Sequence, residues 1–289
     1  LDDSRSQAQV KRHAKGNRTA RENLSDLIDE NSFIEFGQLA VAAQRNRRDY
    51  EELQNATAAD GVLTGLCTIN EGDIGPNNTH AIAIINDYSV LAGTQGFFHH
   101  KKLDRMLELA GEYLLPVIMY TEGGGGRPGD TDVTTQIAGL NVTSFASWAR
   151  LKGKVPRISV NNGYCFAGNA ALFGSADFCI ATKNSWIGMA GPAMIEGGGL
   201  GNFEPSEIGP SESQEKNGVI DFVANDEEHA TRIAQQLLSY FQGKTKKWTT
   251  LDQQDLLKSI PENRRMGYPV RKIIETIADE DSFLELRKV

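Results

Sequence analysis

Four consecutive glycines are placed to bring backbone N–H groups to a reaction centre. They are Gly123, Gly124, Gly125 and Gly126, and they follow an apolar segment over residues 116–120 that is typical of a buried strand. Because glycine has no Cβ, such a turn can bend sharply and hold N–H groups close to a ligand. Paired donors of this kind stabilise a developing anion. A plain flexible turn is the alternative interpretation.

The same glycines formally match a dinucleotide-binding fingerprint, Gly124-x-Gly126-x-x-Gly129. We exclude that interpretation because no Asp or Glu lies between Asp132 and Asp177 to bind the ribose. The sequence also has no P-loop pattern GxxxxGK[ST] and no nucleophile elbow GxSxG. The sequence therefore gives no support to a P-loop nucleotide site or to a serine nucleophile of that type.

A second segment, residues 158–172, has the pattern of a strand that ends in small residues and enters a helix. A helix N-terminus carries free N–H groups and the positive end of the helix dipole, so it stabilises an anion. Donors from Gly124 or Gly125, together with the Ala167-Gly168 turn, would form an oxyanion hole suited to an enolate. The alternative is tight packing of helix on strand through small residues.

Two further groups of residues have weaker signals. Residues 188–203 form a third glycine-rich, apolar stretch that includes Gly191. We interpret it as a wall or lid over a flat ligand, or as a mobile loop. Lys101, Lys102 and Arg105 lie near one predicted helix start, where they would either meet phosphates or remain a solvated charge cluster.

Neither the histidines nor the cysteines indicate a metal site. His99 and His100 are adjacent and point to different helix faces, whereas a metal pair needs i, i+4 spacing, so we expect surface histidines. Glu122, beside the glycines, is a candidate acid or base, although capping or solvation explains it as well. The three cysteines lie far apart in apolar segments without a CxxC pattern, which predicts a reducing, cytoplasmic compartment.

Alternating strand and helix patterns must position these groups. The predicted strands lie at 61–69, 80–90, 116–120, 157–161, 178–182 and 217–223, and the predicted helices lie near 103–110, 132–151, after 167 and near 230–241. This alternation predicts an α/β domain with buried strands. A polar arm over residues 1–60 precedes it and contains a capping box formed by Thr19 and Glu22. Polar residues 246–267 predict a linker.

A short sequence near the start of the chain recurs near its end, and we call this internal repeat the echo. Residues 27–36, LIDENSFIEF, return as residues 277–286, IADEDSFLEL, at a constant offset of 250. Arg21 matches Arg271 at the same offset, and Pro269 stands in the place of Thr19. Chance similarity is the alternative. We interpret residues 268–289 as the truncated start of a second copy, and we expect the chain to belong to a longer protein.

Composition and charge exclude several classes of protein. The chain has 30 Lys and Arg against 38 Asp and Glu, a net charge of −8, which argues against nucleic-acid binding. No apolar run reaches about 18 residues, so we expect no membrane span. A chain of 289 residues can bury a sizeable core without disulfides or metals.

Together these motifs resemble the carboxyltransferase component of biotin-dependent acyl-CoA carboxylases, within the crotonase-like superfamily. The resemblance runs essentially end to end and includes residues 24–36, 59–65, 86–90, 93–96, 101–102, 163–171 and 217–221 together with the glycine turn. The family usually has D-S-G-G-A-R at that turn and Gly-Gly at the second, whereas this chain has TEGGGGRP and Ala167-Gly168. This variant is similar to the transferase region of large fused carboxylases.

The resemblance implies an α/β, crotonase-like (ClpP/crotonase) ββα superhelix with its core over residues 61–245. It implies that a carboxyl group moves from carboxybiotin to the α-carbon of an acyl-CoA, and that this chain supplies the acyl-CoA-binding half. Catalytic donors are expected among Gly124, Gly125, Ala167 and Gly168. Contacts to the coenzyme A thioester are expected from Gly123, Gly126, Lys101, Lys102, Asn169 and Gly191.

The implied partners are a second carboxyltransferase half, a biotinylated carrier, a biotin carboxylase and further copies of the chain. Since the biotin would come from the second half of a partner subunit, we expect no carboxyl transfer by this chain alone. Two rival hypotheses stay open. One is a crotonase-type acyl-CoA hydratase, decarboxylase or hydrolase, which needs an acidic side chain facing the glycine turns. The other is a non-catalytic scaffold subunit, which would bind no acyl-CoA.

Overall fold

A computed structural model describes residues 5–133, 142–263 and 265–288. The helices are α1 Ser6–His13, α2 Ala20–Leu27, α3 Tyr50–Ala56, α4 Glu71–Ile74, α5 Phe97–Tyr113, α6 Ser144–Arg150, α7 Gly168–Gly174, α8 Pro192–Gly197, α9 Ser211–Lys216, α10 Glu227–Gln242 and α11 Val270–Ile277. The strands are β1 Ile34–Glu35, β2 Val62–Thr68, β3 His80–Asn86, β4 Val117–Tyr120, β5 Arg157–Asn161, β6 Tyr164–Phe166, β7 Phe178–Thr182, β8 Trp186–Gly188 and β9 Phe222–Ala224.

The main sheet has the strand order β1-β2-β3-β4-β5-β7-β9. Its first two pairings are antiparallel, and all pairings from β3 to β9 are parallel. A second, two-stranded parallel sheet joins β6 to β8. The parallel strands are buried on both faces, as expected for a sheet covered by helices, so the predicted α/β class is confirmed.

The side chains of β3 alternate between two hydrophobic clusters, because successive residues of a strand point to opposite faces. Ala81, Ala83 and Ile85 belong to the cluster that also contains residues of α2 and α10. Ile82 and Ile84 belong to the cluster that contains residues of α5 and α6. The sheet is therefore the middle of three layers, with helices on either face.

Three sequence predictions differ from the structure. The predicted strand over 217–223 is a turn that follows α9, and only Phe222–Ala224 is extended. In the predicted helix over 132–151, residues 134–141 lie outside the described part, and helix α6 begins at Ser144. The predicted linker over 246–267 contains a short 3-10 helix at Gln253–Lys258 whose N-cap is Asp252.

The predicted echo reappears as repeated local structure. Helices α2 and α11 begin and end 250 residues apart, at Ala20–Leu27 and Val270–Ile277. Each is followed by a left-handed residue, Asn31 with φ 59° and Asp281 with φ 58°. That both segments arose from a duplicated unit remains a prediction.

Candidate active site

The two predicted glycine-rich turns meet directly. Gly123 N donates to Tyr164 O at 2.7 Å, and Phe166 N donates to Gly123 O at 2.9 Å, so the turn after β4 runs beside β6. A methyl group placed on Gly125, which has φ +90°, would lie 2.7 Å from the Ala167 Cβ. Only glycine permits this approach at that backbone angle. The structure therefore brings together the two segments that the sequence analysis paired.

Asn169 holds the first turn in place. Its Oδ1 accepts from Gly125 N at 2.9 Å, and its Nδ2 donates to Thr121 O at 3.1 Å and to Gly93 O at 3.4 Å. The side chain is buried, and both amide atoms are already used within the protein. Asn169 is thus a positioning residue, and the prediction that it contacts the substrate is wrong, because this network leaves its amide no free group.

Of the four expected donors, the structure leaves the N–H group of Gly168 open and engages the other three within the protein. Gly124 N donates to Ala92 O at 3.0 Å, Gly125 N is taken by Asn169, and Ala167 N donates to Gly188 O at 3.0 Å. Within residues 5–133, 142–263 and 265–288, no acceptor is found for the N–H groups of Gly126 and Gly168. The prediction of donors at Gly124, Gly125 and Ala167 is therefore corrected to Gly126 and Gly168.

The turn at Ala167 is strained. Ala167 precedes helix α7 with φ 51° and ψ −118°, a left-handed φ that a residue with a Cβ seldom adopts. This conformation directs Ala167 N to Gly188 of strand β8 and lets helix α7 begin at Gly168. The first residue of a helix has no intrahelical acceptor for its N–H, so Gly168 is left open for a ligand.

Arg127 fixes the other end of the first turn. Its guanidinium pairs with Asp60 and donates to Thr94 O at 2.7 Å, and Arg127 N donates to Gln95 O at 2.9 Å. The Asp60 side chain is fully buried; desolvation raises its pKa, and the charge of Arg127 opposes that rise. Breaking this buried pair would leave an uncompensated charge, so the network holds Gly126 rigidly.

A cleft of about 940 Å³ lies beside the turns, between α1 and the body of the protein. Its floor is aromatic: Tyr164 and Trp186 stack with ring centroids 4.8 Å apart, and Tyr88 lies 6.3 Å from Tyr164. Its cationic lining consists of Arg5, Lys11, Arg12 and Lys15. The sequence analysis missed this cleft because α1 and β8 are far apart in the chain.

Glu122 joins this cleft to the first turn. Its oxygens accept from Arg12 Nη1 and Nη2, both at 2.8 Å, in a bidentate pair that fastens α1. Burial raises the pKa of Glu122 to about 7, although the charge of Arg12 and its hydrogen bonds act to lower that pKa. The prediction of capping or solvation is wrong for this carboxylate, which is buried and paired. Both oxygens are engaged by Arg12, which does not favour the hydratase or hydrolase hypothesis.

The predicted phosphate cluster on α5 does not form. Lys102 is buried, and its Nζ donates to Ala59 O at 2.8 Å and to Val62 O; burial lowers its pKa to about 8. It points away from the exposed Lys101, whose ammonium lies 5.6 Å from the Phe97 ring. The prediction that Lys102 contacts coenzyme A is therefore wrong.

The histidine prediction is also wrong. His99 and His100 are both buried, because α5 packs with one face against β2 and β3 and with another against α6. Burial lowers the pKa of His99 well below its usual value and that of His100 to about 4. His100 Nδ1 lies 3.0 Å from Ser144 Oγ.

Two further features bear on the sequence predictions. Among the described residues, no group of three or more His, Cys, Asp or Glu side chains has an arrangement that would hold a metal ion. In the same part of the chain, no helix is both long enough and apolar enough to cross a membrane.

Gly191 precedes α8 beside Phe166, and its contact with a substrate stays a prediction.

Fold and site together define a class: an α/β protein in which two converging turns offer backbone donors to an anion. Residues 11–289 match the carboxyl transferase domain family, so the chain belongs to that family. Strand order and neighbours agree with the predicted crotonase-like fold.

Relatives place the chain more narrowly. It is 30% identical to the methylmalonyl-CoA carboxyltransferase 12S subunit of Propionibacterium freudenreichii subsp. shermanii, over 96% of this chain and 52% of that protein. A single-chain, multi-domain long-chain acyl-CoA carboxylase superposes with a TM-score of 0.94 at 51% identity, over 99% of this chain and 28% of that one. The transcarboxylase 12S structure with methylmalonyl-CoA bound superposes with a TM-score of 0.78 at 28% identity, over 97% of this chain and 53% of that one. The chain thus spans about half the length of the curated relatives it matches.

Proposed function

We propose that the protein transfers a carboxyl group from carboxybiotin to the α-carbon of an acyl-CoA, and that this chain binds the acyl-CoA. One observation carries the proposal: the two glycine turns converge, and no described residue accepts from the N–H groups of Gly126 and Gly168. Two such donors suit the thioester oxygen, whose charge grows as the enolate forms. The names of the relatives support the same chemistry.

The chain's own part in the reaction is to hold the thioester and to stabilise the enolate that forms from it. The thioester oxygen accepts from Gly126 N and Gly168 N, while Asn169 and Arg127 keep the two turns from moving. When bound, carboxybiotin supplies the carboxyl group and, after carbon dioxide is released, a ureido base for the α-proton. Donors fixed before the reaction stabilise the enolate more than the ground-state thioester, and this lowers the barrier.

The cleft under α1 is suited to the coenzyme A nucleotide. Stacked Tyr164 and Trp186 offer a flat apolar surface for a base, and Lys11 and Lys15 offer cations for phosphates. Glu122, which lines the cleft, immediately precedes the first glycine turn, so a ligand that reaches from the cleft passes close to the donors. We therefore move the proposed phosphate contacts from α5 to α1.

The further partners also belong to the proposal. A biotinylated carrier, a biotin carboxylase, a second carboxyltransferase half and further copies of the chain would complete the enzyme. The hexamer assembly of the similar transcarboxylase 12S structure supports an oligomer. Three buried free cysteines suit a reducing compartment such as the cytoplasm. Residues 268–289 would begin the second half, and the 289-residue chain alone would then transfer no carboxyl group.

The experiment compares two substitutions at one position. Gly126→Pro removes the N–H, whereas Gly126→Ala keeps it, and nothing lies within 4 Å of a Cβ placed there. In the complete carboxylase, we expect Gly126→Pro to lower kcat for labelled acyl-CoA by about 10²-fold, the usual effect of losing one oxyanion donor. Gly126→Ala should stay close to the wild type.

Circular dichroism and thermal melting show whether both variants fold. Equal turnover in folded Gly126→Pro protein would overturn the assignment of this donor. Isothermal titration of the 289-residue chain with acetyl-CoA and longer thioesters tests the binding role separately. No binding by the wild-type chain would favour the scaffold hypothesis instead.

A further inference from the structure

Gln95 is held between the two turns by its backbone. Gln95 N donates to Gly125 O at 2.7 Å, and Gln95 O accepts from Arg127 N at 2.9 Å, so the residue forms a parallel bridge with Gly126. The Cα of Gln95 is therefore fixed beside one of the two open donors, and it cannot shift without disturbing the glycine turn.

The side chain of Gln95 reaches the other open donor. A methyl group placed on the Gly168 Cα would lie 2.5 Å from Gln95 Oε1 and 3.1 Å from Phe145 Cζ. The residue is only 3% exposed, yet Nε2 has no hydrogen-bond partner in the part of the chain that the structure describes. The carbonyl end of a buried carboxamide thus lies beside Gly168, and no described residue accepts from its Nε2.

Neighbouring amides are treated differently by the fold. Asn169 uses both ends of its amide to brace the turn. Gln242, as buried as Gln95, donates from Nε2 to Ile69 O at 2.9 Å and accepts at Oε1 from Asn70 at 2.9 Å. An unpartnered buried amide costs free energy of folding, and burial without a partner is the exception in native proteins. Three other buried amides, those of Asn23, Gln44 and Asn162, have an unpartnered oxygen, so what distinguishes Gln95 among the described residues is an unpartnered donor on an amide that lies beside Gly168.

We propose that Gln95 is a substrate-contacting residue that donates a hydrogen bond from Nε2 to the thioester group of bound acyl-CoA. It would add a side-chain donor to the N–H groups of Gly126 and Gly168, and so strengthen the field on the oxygen that gains charge. This inference rests on the proposed function, since it concerns the same anion site. It goes further by assigning a side chain to a site otherwise made of backbone.

The test uses Gln95→Leu, which keeps the shape of the side chain and removes the donor. In the complete carboxylase, we expect kcat to fall by about 10²-fold. The melting temperature should stay the same or rise, because an unpartnered polar group is replaced by an apolar one. Gln242→Leu is the matched control, and it should lower the melting temperature and leave kcat unchanged, because its amide is satisfied within the fold.

Each outcome has a distinct meaning. Wild-type turnover in Gln95→Leu overturns the role of Gln95 and leaves the proposed function standing. A fall in melting temperature like that of Gln242→Leu, in both Gln95→Leu and the more flexible Gln95→Met, shows a structural brace and also overturns the inference. Wild-type protein that neither binds acyl-CoA nor transfers a carboxyl group overturns the proposed function, and with it this inference.

Discussion

The helix–strand unit at residues 20–36 and its echo at 270–286 share local structure but differ in burial. Ser32 Oγ donates to Asp29 O at 2.7 Å, and Ser282 Oγ donates to Asp279 O at the same distance. An arginine in each helix pairs with a glutamate in the extended segment that follows, Arg21 with Glu35 and Arg271 with Glu285.

The apolar faces of the two helices meet different surroundings. Leu27 of α2 is completely buried against the sheet and α10, whereas Ile277 of α11, its counterpart, is 62% exposed. The second unit is attached mainly through polar contacts: Glu280 N donates to Thr249 O at 2.8 Å, and Tyr240 donates to Ser282 O at 2.6 Å. The structure thus docks this segment on the same chain.

The comparison separates two sources of structure. Caps, turns and nearby ion pairs depend on residues close together in the chain. Similar residues at the same spacing therefore produce the same local geometry in both segments. Burial depends on distant elements, which enclose the helix of the first unit, whereas of the second unit Leu284 packs against the main core and the helix stays exposed at Ile277. Substitutions at matched positions should therefore have equal local effects and unequal effects on stability.

The largest difference is expected at the apolar pair. Leu27→Ala should lower the free energy of unfolding by about 2–5 kcal/mol, because it leaves a cavity in the core. Ile277→Ala should change it by less than about 0.5 kcal/mol, as most exposed substitutions do. Urea unfolding followed by circular dichroism measures both values. Similar losses at the two positions would show that the second unit is packed as firmly as the first.

A smaller difference is expected at the helix starts. Thr19 accepts from Glu22 N at 3.2 Å and Glu22 accepts from Thr19 N at 2.7 Å, so Thr19→Ala should cost about 1 kcal/mol. Thr19→Ser keeps the hydroxyl and is the control. Pro269 offers no side-chain cap, so Pro269→Ala removes no hydrogen bond and should cost less. The same denaturant titration measures all three, and an equal cost at both starts would contradict the assignment of the cap.

The smallest difference is expected at the ion pairs. Glu35 is mostly buried, and its carboxylate lies 3.2 Å from the guanidinium of Arg21. We expect Glu35→Gln to lower the free energy of unfolding by about 0.5 kcal/mol, a value typical of ion pairs near the surface. Glu285 is partly buried beside the exposed Arg271, and its hydrogen bond to Arg271 lowers its pKa. That contribution is present above the ordinary pKa of a glutamate and is lost as the pH falls below it.

Thermal melting from neutral to acidic pH, at low and at high salt, tests this last pair. We expect Glu285→Gln to remove a small, salt-sensitive part of the acid dependence, since water and ions screen an exposed pair. An acid dependence that is unchanged in Glu285→Gln at low salt would show that the pair adds nothing to stability.

The sequence by itself determined the local and repeating features of this protein. The capping box of Thr19 and Glu22, the alternation of strand and helix, the repeat at offset 250 and the meeting of the two glycine turns were all predictable. Short-range rules suffice for the first three. The turns could be paired because β4 and β5 are neighbouring parallel strands whose carboxyl ends share one edge of the main sheet, and the Ala167-Gly168 turn follows β5 after only the short strand β6.

Only the tertiary structure decided which of the candidate site groups are engaged within the protein. Gly124 and Gly126 are the same residue type in the same turn. The carbonyl oxygen of Ala92 accepts from Gly124 N, whereas no described group accepts from Gly126 N. Lys101 and Lys102 are neighbours, yet the helix directs one to solvent and the other to buried carbonyl oxygens. Such choices depend on contacts between residues far apart in the chain, because a donor is open only when the whole fold supplies no acceptor for it.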